Sequence, residues 1–109
     1  MSKPIDFTSL AELRVFFVGI KGTGMAALAE LFHKRGAVVT GSDVADTFYT
    51  DAVLRDLGIP YLEGFCRENL ADQYDLLIYS AAYDPQTNPE CVAAAERNIP
   101  LLIYTEALG

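Results

Sequence analysis

Arg14-Val15-Phe16-Phe17-Val18-Gly19-Ile20-Lys21-Gly22-Thr23-Gly24-Met25 decides the fold. After Arg14, four β-branched or aromatic residues in succession suit a strand covered on both faces. Three glycines follow within six positions. Met25, Leu28, Ala29, Leu31 and Phe32 then recur at helical spacing as far as Lys34-Arg35-Gly36, where two bases and a glycine stop a helix. Strand, glycine loop and helix in that order begin a βαβ unit.

The alternation continues along the chain. Ala37–Gly41 reads as a second strand ending in Ser42-Asp43. Thr50-Asp51 can cap a helix carrying Ala52, Val53, Leu54 and Leu57, closed by Gly58. Ile59–Leu62 reads as a third strand with its proline near the start. Arg67–Asp72 adds a helical turn, and Leu76–Tyr79 is the clearest buried strand. Asn88-Pro89-Glu90 opens a helix with asparagine as cap and proline at its first position, running to Arg97. Pro100–Tyr104 is a fifth strand, and Thr105-Glu106 starts another helix. The pattern predicts an α/β, Rossmann-like three-layer domain over residues 1–109, with a mostly parallel five-stranded sheet.

Composition narrows the function. The chain has 109 residues, 51% of them hydrophobic, so it can build one core and no second one. Eight basic against fifteen acidic residues give a net charge of −7, which argues against nucleic acid or an anionic membrane as main partner. A single phosphate ligand stays open, because a few backbone N–H groups can hold one locally. One histidine and two cysteines, Cys66 and Cys91, lack metal-ligand spacing, so no metal site is expected and the thiols read as reduced. The opening Met1–Asp6 carries an acid and no long apolar run, unlike a signal peptide, and no stretch is long enough to cross a membrane. A cytoplasmic domain is expected.

The glycine loop lies where a parallel sheet opens its ligand crevice. Glycines there permit positive φ and keep side chains away from a phosphate, while the helix start supplies free N–H groups and partial positive charge. Gly22-x-Gly24-x-x-Ala27 fits the relaxed dinucleotide fingerprint. No Gly-Lys-Ser/Thr occurs, so the chain shows no triphosphate cradle. Asp43, at the end of the second strand, can accept from ribose hydroxyls or from a uracil N–H, or serve as a turn aspartate. Ser80-Ala81-Ala82 can let a flat base or sugar lie against the backbone, with Tyr83 beside them as contact or packing. Lys21 can reach a phosphate or stay solvated.

The blocks Gly19–Ala29, Thr40–Asp43, Tyr79–Ala82 and Asn88–Glu90, in this order, resemble the N-terminal domain of the Mur ligases of peptidoglycan synthesis. Within that family they look most like the members that join L-alanine to UDP-N-acetylmuramate. The resemblance implies an N-terminal piece of a three-domain ligase, with the ATPase and C-terminal domains absent, and no catalysis by this domain alone. It implies that Gly22, Thr23, Gly24 and Met25 meet the diphosphate, that Asp43 and Val44 meet the uracil, and that Ser80, Ala81 and Ala82 line the nucleotide. It implies no cofactor in this domain, with ATP and magnesium held by a central domain. Lys21 stands where a third glycine is usual, adding a charge beside the diphosphate. A histidine common in the loop after the third strand is missing, the nearby Phe65 can stack on uracil instead or sit in the core, and Ile103-Tyr104 stand where the family often has an arginine pair. A sister ligase that attaches recycled tripeptide to the same nucleotide sugar remains an alternative, as does an NAD-binding domain.

Overall fold

A computed structural model describes residues 11–107. Five strands, β1 (Arg14–Val18), β2 (Val38–Asp43), β3 (Tyr61–Glu63), β4 (Leu76–Tyr79) and β5 (Leu101–Ile103), form one sheet in the order β3-β2-β1-β4-β5. Every pairing is parallel. The helices are α1 (Thr23–Lys34), α2 (Tyr49–Leu57), α3 (Pro89–Glu96) and α4 (Tyr104–Ala107), with a 3-10 turn at Arg67–Leu70. The expected α/β architecture is therefore present, with the sheet wholly parallel. The opening Met1–Asp6 lies outside the described residues. Among the described residues, no helix is long and apolar enough to cross a membrane.

β1 is the central strand, and Val15, Phe16, Phe17 and Val18 are all fully buried. Strand alternation sends Val15 and Phe17 into a layer with Met25, Leu28 and Phe32 of α1, Leu54 of α2 and Ala107 of α4. Phe16 and Val18 enter the opposite layer with Leu77, Leu70, and Cys91, Ala93 and Ala94 of α3. The continuous apolar run of β1 reflects this covering on both faces.

The helix ends differ in detail from the sequence reading. Asn88 caps α3 as expected, its side chain accepting from the N–H groups of Glu90 (3.0 Å) and Cys91 (3.1 Å). In α2 the cap is Phe48, one residue before the helix, and Asp51 reaches back to accept its N–H at 3.2 Å. Thr50 is not the cap, because its hydroxyl donates instead to the Lys21 carbonyl at 2.5 Å. β3 starts two residues later than expected, since Ile59 turns into the core and its N–H bonds back to the Leu54 carbonyl.

One buried carboxylate ties α3 to the sheet. Glu90 is fully buried with no cation beside it. It accepts from the Ser42 hydroxyl (3.0 Å), the Cys66 N–H (2.7 Å) and the Asn69 amide (2.7 Å). Burial pushes its pKa above the usual 4.5, against the pull of those three donors.

Two stability outcomes follow from this packing. Phe17 meets Phe32 edge-to-face at 5.7 Å, so Phe17→Ala should cost about 3–5 kcal/mol in urea unfolding, a large share of a domain's stability. For Glu90, the folded chain holds its proton more tightly than the unfolded chain. Its contribution therefore falls as pH rises from 4.5 to the raised folded pKa, then levels off. Glu90→Gln can keep the Cys66 and Asn69 bonds on its carbonyl oxygen and donate its amide to the Ser42 hydroxyl, without that titration. Its stability relative to the unsubstituted chain should rise with pH across that window, and a difference that stays flat would contradict the account.

Candidate functional site

The sheet order reverses between β1 and β4, and a parallel sheet opens its ligand crevice at the carboxyl side of such a point. A cleft of about 290 Å3 lies there, lined by residues that follow β1, β2 and β4 together with the start of α2. Its floor is the glycine loop. Gly19 takes a φ of +85°, and a Cβ on it would lie 2.9 Å from both Ser80 Cβ and Tyr83 Cε2. Glycine is thus required for both backbone and space at this position. Gly22 differs. It caps α1 with a φ of −59°, a Cβ there would meet only ordinary contact distances, and no side chain caps the helix. Among the described residues, the N–H groups of Thr23, Gly24 and Met25 find no acceptor, and no acid occupies the first turn. Three unaccepted donors thus sit at the positive end of a twelve-residue helix whose cap, Gly22, and first residue, Thr23, line the cleft.

Asp43 organises the opposite wall. Its carboxylate accepts from the Lys21 N–H (2.8 Å), the Val44 N–H (2.7 Å) and the Tyr83 hydroxyl (3.1 Å). Burial pushes the Tyr83 phenol up to about 12, helped by the Asp43 charge and the hydrogen bond to it. Phe65 packs edge-to-face on the far side of Tyr83, with ring centres 4.8 Å apart.

Lys21 departs most from the sequence expectation. Its side chain is buried, and its ammonium binds Glu63 (2.8 Å), Asp51 (3.2 Å) and the Asp46 carbonyl (2.8 Å), over the ring of Tyr61. Burial opposes the charge, but the Glu63 and Asp51 contacts outweigh it and hold the pKa above 10.5. Asp51 is held below its usual 3.8: burial raises it, and the Phe48 N–H together with Lys21 more than reverses that. The extra charge expected beside a diphosphate is therefore neutralised inside the wall.

Of the residues singled out in the sequence, Lys21, Gly22, Thr23, Asp43, Val44, Ser80 and Ala82 line the cleft together. Met25 is in the core, and only its N–H belongs to the site. Gly24 is a packing glycine, since a Cβ would come 2.7 Å from Cζ of Tyr104. Ala81 is exposed beyond the lining, and Phe65 lies behind Tyr83. Sequence reasoning missed Phe48 and Tyr49, which are 44% and 69% exposed on the rim. Two adjacent aromatics at the start of α2, outside the core periodicity, were the available signal. Two other depressions, of about 400 and 430 Å3, lie before β4 and β5 and beside β3. Neither is lined by the glycine loop, and the Arg97 guanidinium in the first is held by the carbonyls of Leu70 and Asp72.

The chain is similar to known proteins in both sequence and fold. The family pattern described as "Mur ligase family, catalytic domain" matches residues 14–109. The UDP-N-acetylmuramate–L-alanine ligase of Treponema pallidum (strain Nichols) is 56% identical over 100 residues, covering 92% of this chain and 21% of that protein. The chain thus spans about a fifth of the length of such relatives. The crystal structure of UDP-N-acetylmuramate-alanine ligase from Thermotoga maritima superimposes with a TM-score of 0.80 at 33% identity, over 88% of this chain and 22% of that one. A UDP-N-acetylmuramate:L-alanyl-gamma-D-glutamyl-meso-diaminopimelate ligase from Neisseria meningitides shares the fold, with a TM-score of 0.77 at 24% identity, over 86% of this chain and 29% of that one. On the family match, the sequence identity and the fold together, the chain belongs to the Mur ligase family.

Proposed function

We propose that this domain holds the UDP portion of UDP-N-acetylmuramate for an ATP-dependent ligase that adds L-alanine in peptidoglycan synthesis. The observation that carries the reading is the set of three unaccepted N–H groups at the start of α1, where Gly22 and Thr23 line a cleft that also contains the buried Asp43. The diphosphate lies over Gly22 and takes the N–H groups of Thr23, Gly24 and Met25. The uracil lies toward Asp43 and Val44, and the nucleotide runs past Ser80, Ala81 and Ala82. The relatives named as L-alanine ligases support that amino acid, and their greater length leaves room for the acyl-activating chemistry. Within residues 1–109 no Gly-Lys-Ser/Thr loop exists, so ATP and magnesium belong to another part of such a protein and no residue here is catalytic.

Asp43 already accepts three hydrogen bonds, which constrains how it reads a base. The Lys21 and Val44 bonds fix backbone, whereas the Tyr83 bond comes from a side chain that can yield. The uracil N–H replaces the Tyr83 hydroxyl on the same carboxylate oxygen, so the exchange conserves the number of hydrogen bonds.

Calorimetric titration with UDP, NAD and pyrophosphate tests the reading. Asp43→Ala should weaken UDP by roughly tenfold to more than a hundredfold, the effect of losing a charge-assisted bond of about 1.5–3 kcal/mol. It should also weaken pyrophosphate, because the same carboxylate holds the glycine loop through Lys21. Tyr83→Phe removes only the competing donor, so UDP should bind at least as tightly as to the unsubstituted chain. A loss there beyond threefold would place the phenol on the ligand instead. Tight NAD binding without a uridine response would overturn the assignment.

A further inference from the structure

Tyr49 is 69% exposed, yet its hydroxyl reaches from the first residue of α2 to the first residue of α1 and donates to Thr23 Oγ1 at 3.0 Å. The ring of a tyrosine this exposed is not held by core packing. Its reach is set instead by the two anchors behind it, the Thr50 hydroxyl on the Lys21 carbonyl and the Asp51 carboxylate on the Lys21 ammonium. These hold the start of α2 against the glycine loop at the span the phenol bridges.

The consequence falls on the Thr23 hydroxyl, which has one proton to give and two lone pairs to receive. Tyr49 fills one lone pair. The proton remains, and among the described residues no protein group accepts it. Thr23 is the first residue of α1, so no preceding helical turn offers a carbonyl for that proton. With Tyr49 donating from the α2 side, the hydroxyl is polarised and its proton is free to point into the cleft, next to the three unaccepted N–H groups.

We propose that Tyr49 is a positioning residue that aims the Thr23 hydroxyl proton at the diphosphate of the bound ligand. The inference rests on the UDP reading above and adds a fourth donor to the anion site, set by a residue on another helix.

The test is a cycle of Tyr49→Phe, Thr23→Val and the double variant in the full 109-residue chain, titrated with UDP and with uridine by NMR. Tyr49→Phe keeps the ring and should weaken UDP about threefold to tenfold, the effect of one net hydrogen bond, while leaving uridine within twofold. Thr23→Val should weaken UDP at least as much, and adding Tyr49→Phe to it should cost nothing more, because the effect passes through the Thr23 hydroxyl. A merely structural role would move uridine and UDP together. UDP binding by Tyr49→Phe equal to that of the unsubstituted chain, or an equal further loss in the Thr23→Val background, would overturn the inference and leave the UDP reading standing. Failure of the unsubstituted chain to bind UDP would sink that reading and this inference with it.

Discussion

The buried ammonium of Lys21 is the contact on which the cleft depends. A lysine charge taken out of water is costly unless nearly every donor finds an acceptor. Here all three find one: a carboxylate on α2, a carboxylate at the end of β3 and a carbonyl in the β2–α2 loop. The same residue gives its N–H to Asp43 and takes the Thr50 hydroxyl on its carbonyl. One position in the glycine loop thus fixes β2, β3, the following loop and the first turn of α2. Removing the charge would leave Asp51 and Glu63 facing each other without a counterion, and the aromatic rim of the cleft would lose its anchor.

Asp43 repeats the logic on the other side of the loop. Its three partners are two backbone N–H groups and one phenol, so it works first as a piece of architecture that sets the loop's shape. Under the proposed reading, base recognition and loop geometry share one carboxylate. The two views of this residue from the sequence, turn aspartate and base acceptor, are compatible because a carboxylate offers about four lone-pair sites and the fold fixes two of them.

The fold was legible because its signals are periodic. The apolar run of β1, the helical spacing from Met25 to Phe32, and the Asn88-Pro89 start of α3 each follow from local geometry and survive in the structure. Strand ends were legible to within a residue or two, as in β3, where a tertiary hydrogen bond to Leu54 decides the boundary. That Gly19, Gly22 and Asp43 meet at one cleft was legible from their positions after β1 and at the end of β2. What sequence could not give was the direction of side chains across the cleft. Lys21 points inward because acids 25, 30 and 42 positions away converge on it through backbone carbonyl or carboxylate, and no local pattern encodes that meeting. Nor could the sequence show that Gly24 is also required for packing, since Tyr104, eighty residues on, occupies the space a side chain would need.

These arrangements settle how an acidic domain can attract an anion. Lys21 is the one basic residue lining the cleft, and its charge is already matched by Asp51 and Glu63. A net charge of −7 adds a repulsive long-range field rather than steering. Under the proposed reading, attraction comes from short-range, directed donors: the N–H groups at the start of α1 and the hydroxyl of Thr23. Such donors act within hydrogen-bond distance and are weakly screened compared with exposed ion pairs. They also cannot hold a bare anion tightly in water, since a hydrated phosphate exchanges equal hydrogen bonds on binding. The cleft therefore favours an anion delivered by an attached group that fills the space between Asp43 and Ala82. Under the proposed UDP reading the base and sugar carry the phosphate to its donors, and selectivity for the whole nucleotide follows because, among the described residues, the cleft offers no cation that is not already paired.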